Sequence, residues 1–118
     1  MKKWTEILLK SSDELEDAIQ VLNRSGMRIA LIVYSNKKLL GTLTDGDIRK
    51  ALIKHTSMKC PVEKVMNSSP ITSLFSDSPE LIISKMNSKG LLHMPILDES
   101  GILIGLETLQ NLISEKKH

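Results

Sequence analysis

In the run Gly41-Thr42-Leu43-Thr44-Asp45-Gly46-Asp47-Ile48, a hydroxyl and a carboxylate stand three residues apart, at the point where an apolar stretch gives way to helical spacing. A carboxylate at the start of a helix can accept two hydrogen bonds from a vicinal diol such as that of ribose, while helix-end N–H groups and a nearby threonine hydroxyl favour phosphate. The same residues also suit a purely local task, because Thr44 or Asp45 would cap the helix that begins near Gly46 whatever else is present. Both roles stay open on sequence. In the second half of the chain the aligned residues are Thr108 and Asn111, and Glu107 stands in place of Leu43. Asparagine carries no charge and can donate as well as accept, and a carboxylate beside a phosphate repels it. The half containing Asp47 is therefore the stronger candidate, and asymmetric occupancy is expected.

Other chemistries find little support. His55, His93 and His118 are scattered, and Cys60 has no second cysteine to form a disulfide or a metal cluster. No phosphate-binding glycine loop ending in Lys-Ser/Thr and no nucleophile elbow is present. No metal site and no catalytic constellation is expected, so the chain reads as a non-enzyme. Aromatic residues make up 3% of the chain, which counts against binding single-stranded nucleic acid by base stacking.

The elements that must carry these side chains come in duplicate. Gly26 aligns with Gly90, Gly41 with Gly105 and Thr44 with Thr108, an ungapped offset of 64 residues that also relates Ile7 to Ile71 and Ile32 to Ile96. In each half Asp13-x-x-Glu16 or Asp77-x-x-Glu80 has capping-box spacing and should open a helix. Leu15, Ala18, Ile19 and Leu22 follow at helical spacing, as do Ile82, Ile83 and Met86, and Gly26 or Gly90 suits the helix end. Two apolar runs then flank a polar turn, residues 30–34 and 39–43 in one half and 94–97 and 102–106 in the other, predicting hairpin-like strands. A second helix carries Ile48, Ala51 and Leu52, or Leu109, Leu112 and Ile113. The expectation is an α+β fold of two helix–strand–strand–helix motifs with a short leading strand, residues 1–60 and 61–118. Neither half can cover its own sheet, so burial of one against the other as a pseudo-twofold pair is expected. The connector 54–70, with Pro61 suited to a first helical turn, should be ordered.

At 118 residues, with 41% hydrophobic and 25% charged residues, the chain suits one compact module rather than a disordered protein, and its formal charge of +2 says little by itself. No apolar run approaches the roughly 20 residues of a membrane helix, and Met1–Glu6 lacks signal-peptide features. A cytoplasmic location is expected. The polar residues 114–118 would suit a linker to a further domain.

Gly41–Ile48, together with Met94-Pro95-Ile96-Leu97-Asp98 and the linker residues Val65-Met66-Asn67 and Pro70-Ile71-Thr72, resembles a tandem pair of CBS (cystathionine-beta-synthase) motifs over nearly the whole chain. The fuller string Thr44–Leu52, with Gly105-Leu106-Glu107-Thr108-Leu109, is most similar to the CBS pair preceding sugar-phosphate nucleotidyltransferases. Arabinose-5-phosphate-type isomerases carry a similar Thr-Asp-Gly-Asp stretch. The resemblance implies a Bateman-type regulatory module that binds AMP, ADP or ATP, requires no cofactor, forms a homodimer and is linked to a nucleotidyltransferase. It implies that Asp47 takes ribose and Thr44 a phosphate or the sugar edge. It also places Arg28 and His93, just before the central strands, near phosphate, and Ile71 and Thr72 in the strand flanking adenine and ribose. A weaker second site would use Ile7, Thr108 and Asn111. Local alternatives are a solvated Arg28, a partly buried His93 and core packing for the two isoleucines. The alternative for the whole chain is a structural dimerisation module that binds no nucleotide, using an apolar stripe with Leu15, Leu22 or Ile113.

Overall fold

The computed structural model describes residues 4–116; Met1–Lys3, Lys117 and the third histidine, His118, lie outside the described residues. The chain divides into two compact units, Met1–Pro70 and Ile71–His118. The first runs through a 3₁₀ turn (Trp4–Ile7), β1 (Leu8–Leu9), α1 (Leu15–Ser25), β2 (Ile29–Val33), β3 (Leu39–Thr44) and α2 (Asp45–Ile53). The second runs through β4 (Ser73–Leu74), α3 (Pro79–Lys89), β5 (His93–Leu97), β6 (Leu103–Thr108) and α4 (Leu109–Lys116). Each unit is the expected helix–strand–strand–helix motif behind a short leading strand, in an α+β fold. Ile7, Ile71 and Thr72 stand just ahead of the leading strands rather than within them.

Each unit has a three-stranded sheet, in the order β1-β2-β3 or β4-β5-β6. The leading strand is parallel to the central one, and the third strand is antiparallel to it. β2 is apolar and buried at all five positions, as a strand paired on both edges and covered on both faces must be. The offset of 64 extends to register: Ile29 pairs with Thr44 and His93 with Thr108, and both hairpins carry an irregularity at the same place, between Ile32 and Val33 and between Ile96 and Leu97. One rung differs. Leu8 pairs with Leu31 in the first sheet, but the equivalent Thr72 and Pro95 form no rung, and β4 begins one residue later. Proline has no N–H to offer a ladder. The Thr72 carbonyl instead accepts from Lys85 Nζ at 3.2 Å.

The helix starts correct the expected capping boxes by one residue. Asp13 and Asp77 each turn back to accept from a backbone N–H three residues earlier, Lys10 at 2.8 Å and Leu74 at 2.9 Å, so neither caps a helix. The caps are Glu14, whose N–H donates to the Asp17 carboxylate at 2.9 Å, and Ser78, whose hydroxyl accepts from the Leu81 N–H at 3.1 Å. The helix ends follow expectation: Gly26 and Gly90 take the left-handed conformation, φ 68° and 65°.

The cores are aliphatic. Leu15, Ala18 and Leu22 of α1 are buried, so Leu15 and Leu22 are not available as a dimerisation stripe, whereas Ile113 is 41% exposed. In the second unit Ile82, Met86, Met94, Ile96 and Leu112 form the core. The connector is ordered against the first unit. Asn67 and Thr42 exchange backbone hydrogen bonds at 3.0 and 2.8 Å, Val62 N–H donates to the Asp13 carbonyl at 2.7 Å, and Leu15 N–H donates to the Cys60 carbonyl at 2.8 Å. Val62, in a single 3₁₀ turn (Val62–Lys64) capped by Pro61, is fully buried.

Candidate functional site

β3 delivers Thr44 in extended geometry (φ −112°, ψ 172°) to the first turn of α2, where it is the N-cap. Its hydroxyl accepts from the Asp47 N–H at 3.4 Å. Asp47 Oδ2 accepts in return from the Thr44 N–H at 2.9 Å and the Thr44 hydroxyl at 3.0 Å. The capping role open on sequence is thus filled by Thr44 rather than Asp45. It occupies only one carboxylate oxygen: Oδ1 of Asp47 accepts nothing from the described residues. A half-buried carboxylate, oriented through one oxygen and open at the other, is an acceptor held in place for a hydroxyl donor.

Arg28 lies one residue ahead of β2 in a left-handed conformation, φ 64°. Because Ile29 pairs with Thr44, Arg28 is brought to the same end of the sheet, where its Nε lies 3.9 Å from Asp45. That pair is exposed, with 76% and 52% of the side chains accessible, so it holds Arg28 only weakly and leaves the guanidinium free to meet an anion.

His93 is the first residue of β5, not the residue before it, and it pairs with Thr108. It therefore aligns with Ile29 rather than Arg28. Burial holds its imidazole below the ordinary 6.5. The unfolded chain takes up a proton near the ordinary value and the folded chain only below it, so stability is complete above pH 6.5 and declines as pH falls through the folded value. A thermal melt series should show this decline starting below pH 6.5, and His93→Gln should abolish it; a slope unchanged in the variant would assign it elsewhere. Asp77 is the other acid-sensitive group. The Leu74 N–H holds its carboxyl below the ordinary 3.8, so its contribution is lost only at lower pH than that of His93.

In the second unit the Thr108 hydroxyl accepts from the Asn111 N–H at 3.1 Å, the counterpart of the Thr44 cap, and Asn111 is exposed. Glu107 is half-buried on β6, opposite Met94. Ile7 is fully buried, so only its backbone can face a ligand. Ile71 is 36% exposed and Thr72 half-buried. In the first unit the structure brings Arg28, Thr44 and Asp47 to one corner. In the second it brings His93, Thr108 and Asn111 to the equivalent corner.

Lys85 was not singled out by sequence. Its ammonium donates to the Thr72 carbonyl and to the Ser73 hydroxyl at 3.1 Å and pairs with Asp77 at 3.5 Å, tying down the segment that holds two candidate contacts. The signal was a lysine standing at the offset position of Val21, on an otherwise apolar stripe.

Residues 5–54 match the model of the CBS domain family. Solved structures show the same fold over both units. A CBS domain protein from Pyrobaculum aerophilum complexed with AMP is 17% identical and superposes with a TM-score of 0.81, covering 98% of this chain and 97% of that one. Residues 5–54 carry the CBS match, and both units share the fold of CBS-domain proteins. A second CBS-domain pair, in complex with 5′-methylthioadenosine and S-adenosyl-L-methionine, is 25% identical with a TM-score of 0.80, covering 94% of this chain and 86% of that one. Among curated proteins, the arabinose 5-phosphate isomerase GutQ of Salmonella typhi is 28% identical over 110 residues, 90% of this chain and 32% of that protein. The chain spans about a third or less of the curated relatives it matches, which include homoserine O-acetyltransferases as well as isomerases. CBS pairs are typically non-catalytic regulatory modules. Among the described residues no group of three His, Cys, Asp or Glu side chains could hold a metal ion, and no helix is long and apolar enough to cross a membrane.

Proposed function

We propose that this CBS pair is a regulatory module that binds an adenine nucleotide, AMP, ADP or ATP, through the corner formed by Arg28, Thr44 and Asp47. The observation that carries this is the Asp47 carboxylate, oriented through Oδ2 and open at Oδ1, at the end of the sheet where Arg28 meets Asp45. Asp47 Oδ1 accepts a ribose hydroxyl, Arg28 meets phosphate, and Thr44 holds the carboxylate in place. Ile71, Thr72 and His93 belong to the second unit, outside this corner. Asn111 offers an amide in place of the carboxylate, so the site with Ile7, Thr108 and Asn111 is the weaker. Solved relatives that hold AMP, methylthioadenosine or S-adenosyl-L-methionine support an adenosine-type ligand. The module acts in the cytoplasm as a homodimer, joined to or serving an enzyme of sugar-phosphate metabolism, a nucleotidyltransferase in our reading.

Calorimetry with AMP, ADP and ATP tests the site. Asp47→Asn keeps one acceptor for the cap but turns the open oxygen into a donor. It should leave stability within about 1 kcal/mol and weaken nucleotide binding at least about tenfold, while Asn111→Ala binds as the parent does. Absence of heat and of any thermal shift with all three nucleotides would sink the proposal and favour a purely structural module.

A further inference from the structure

A shallow pocket of about 140 Å³ opens along the flank of α2 in the first unit. Its apolar lining is Ala51 and Val65, and its polar lining is Asp47, Lys50, Lys54, Thr56 and Lys64. Asp47, Lys50 and Lys54 recur at helical spacing and share one face of α2. Thr56 and Lys64 are brought to that face by the connector that leaves the helix. The Thr56 N–H donates to the Ala51 carbonyl at 2.9 Å and the His55 N–H to the Leu52 carbonyl at 3.0 Å, a Schellman ending with His55 in the left-handed position, φ 61°. Buried Val62 then anchors the turn that presents Lys64.

The charges in this pocket are uncompensated. Among the described residues Lys50, Lys54 and Lys64 join no ion pair, whereas nearby Lys59 pairs with Glu16 at 2.7 Å and Glu14 at 3.7 Å. Position near the C-terminal end of α2 gives Lys50 and Lys54 a favourable interaction with the helix dipole, but Lys64 lies off the helix and gains nothing from it. Three ammonium groups against the one carboxylate of Asp47 leave the pocket net positive by two. Its volume is well below the roughly 300–1,000 Å³ of sites that enclose a drug-sized ligand, so it suits a small anion. The open Oδ1 of Asp47 would repel a bare anion and asks for a hydroxyl donor on the same molecule.

We propose that this pocket binds a small phosphorylated polyol of the sugar-phosphate class, its phosphate among Lys50, Lys54 and Lys64 and one hydroxyl donating to Asp47 Oδ1. The two ligands would compete for Asp47 Oδ1, but the lysines take no part in the proposed nucleotide contacts, so changes at Lys54 and Lys64 test this pocket while leaving Arg28, Thr44 and Asp47 in place. The test is a titration of the 118-residue chain, followed by NMR shifts or calorimetry, with ribose 5-phosphate and with inorganic phosphate. Ribose 5-phosphate should bind at least about fivefold more tightly than inorganic phosphate, and more weakly as salt is raised. The double variant Lys54→Met/Lys64→Met should lose about tenfold in affinity at an unchanged melting temperature, and Lys89→Met, in the other unit, should bind within about twofold of the parent. Inorganic phosphate binding as tightly as ribose 5-phosphate overturns the proposal. So does a double variant that binds like the parent, or the absence of binding up to roughly 20 mM ligand.

Discussion

Gly41→Ala should cost the chain about 3 kcal/mol of stability, while Gly105→Ala, the same change at the repeat-equivalent position, should cost nothing or stabilise slightly. A Cβ on Gly41 would sit 2.6 Å from the Asn67 carbonyl oxygen and 2.6 Å from Met66 Sδ. The sulfur can move, but the carbonyl belongs to a backbone pair, Thr42 N–H to Asn67 O at 3.0 Å and Asn67 N–H to Thr42 O at 2.8 Å. Relief of the clash breaks that pair. The loss combines overpacking, about 1–3 kcal/mol, with two hydrogen bonds of about 0.5–1.5 kcal/mol each, reduced by the better strand propensity of alanine. At Gly105 the nearest atom, Ile96 Cβ, is 3.8 Å away, an ordinary contact, so only the propensity gain of about 0.5–1 kcal/mol remains. Urea unfolding measures both variants, and hydrogen exchange at Thr42 and Asn67 locates the damage. A Gly41→Ala chain of parental stability, with those two amides still protected, would contradict this.

The second large effect is a coupling between Ser73 and Lys85. Ser73 is 3% exposed, and its hydroxyl is held by the Lys85 ammonium, which is tied also to Thr72 and Asp77. The equivalent residues in the first unit are Leu9 and Val21, both buried and apolar at 5% and 7% exposure. Lys85→Val alone leaves a buried hydroxyl and a carbonyl without a donor, and Ser73→Leu alone crowds a charged amine with methyl groups. Each should lose about 1–3 kcal/mol. The double variant recreates the apolar pair of the first unit and should recover about 2 kcal/mol relative to the sum of the single changes. Additivity of the two losses in a denaturation cycle would refute the coupling.

These contrasts show what an internal repeat reveals and what it conceals. The offset of 64 residues, the two glycine helix ends and the four apolar strands were all legible in order and type, whereas the cap of α2 was legible only as Thr44 or Asp45. Such features follow from local propensity and from a pattern of apolar residues that each half repeats. The helix starts were legible only to within one residue. Asp13 and Asp77 have cap chemistry, but each carboxylate is drawn back onto the preceding turn, a choice set by the entry of the leading strand.

Thus the sequence by itself determined the duplicated α+β motif and the aliphatic cores, because each rests on contacts between near neighbours or on periodic burial. Only the tertiary structure decided that the connector would run against β3, so that Gly41 has no room for a side chain while Gly105 does. Tertiary structure also decided that Pro95 would deny Thr72 its rung and leave Lys85 to satisfy it. For the Thr44–Asp47 corner, the outcome again depended on distances between atoms. The cap forms, and one oxygen of Asp47 remains open, because a carboxylate has two acceptors and the helix start needs only one of them.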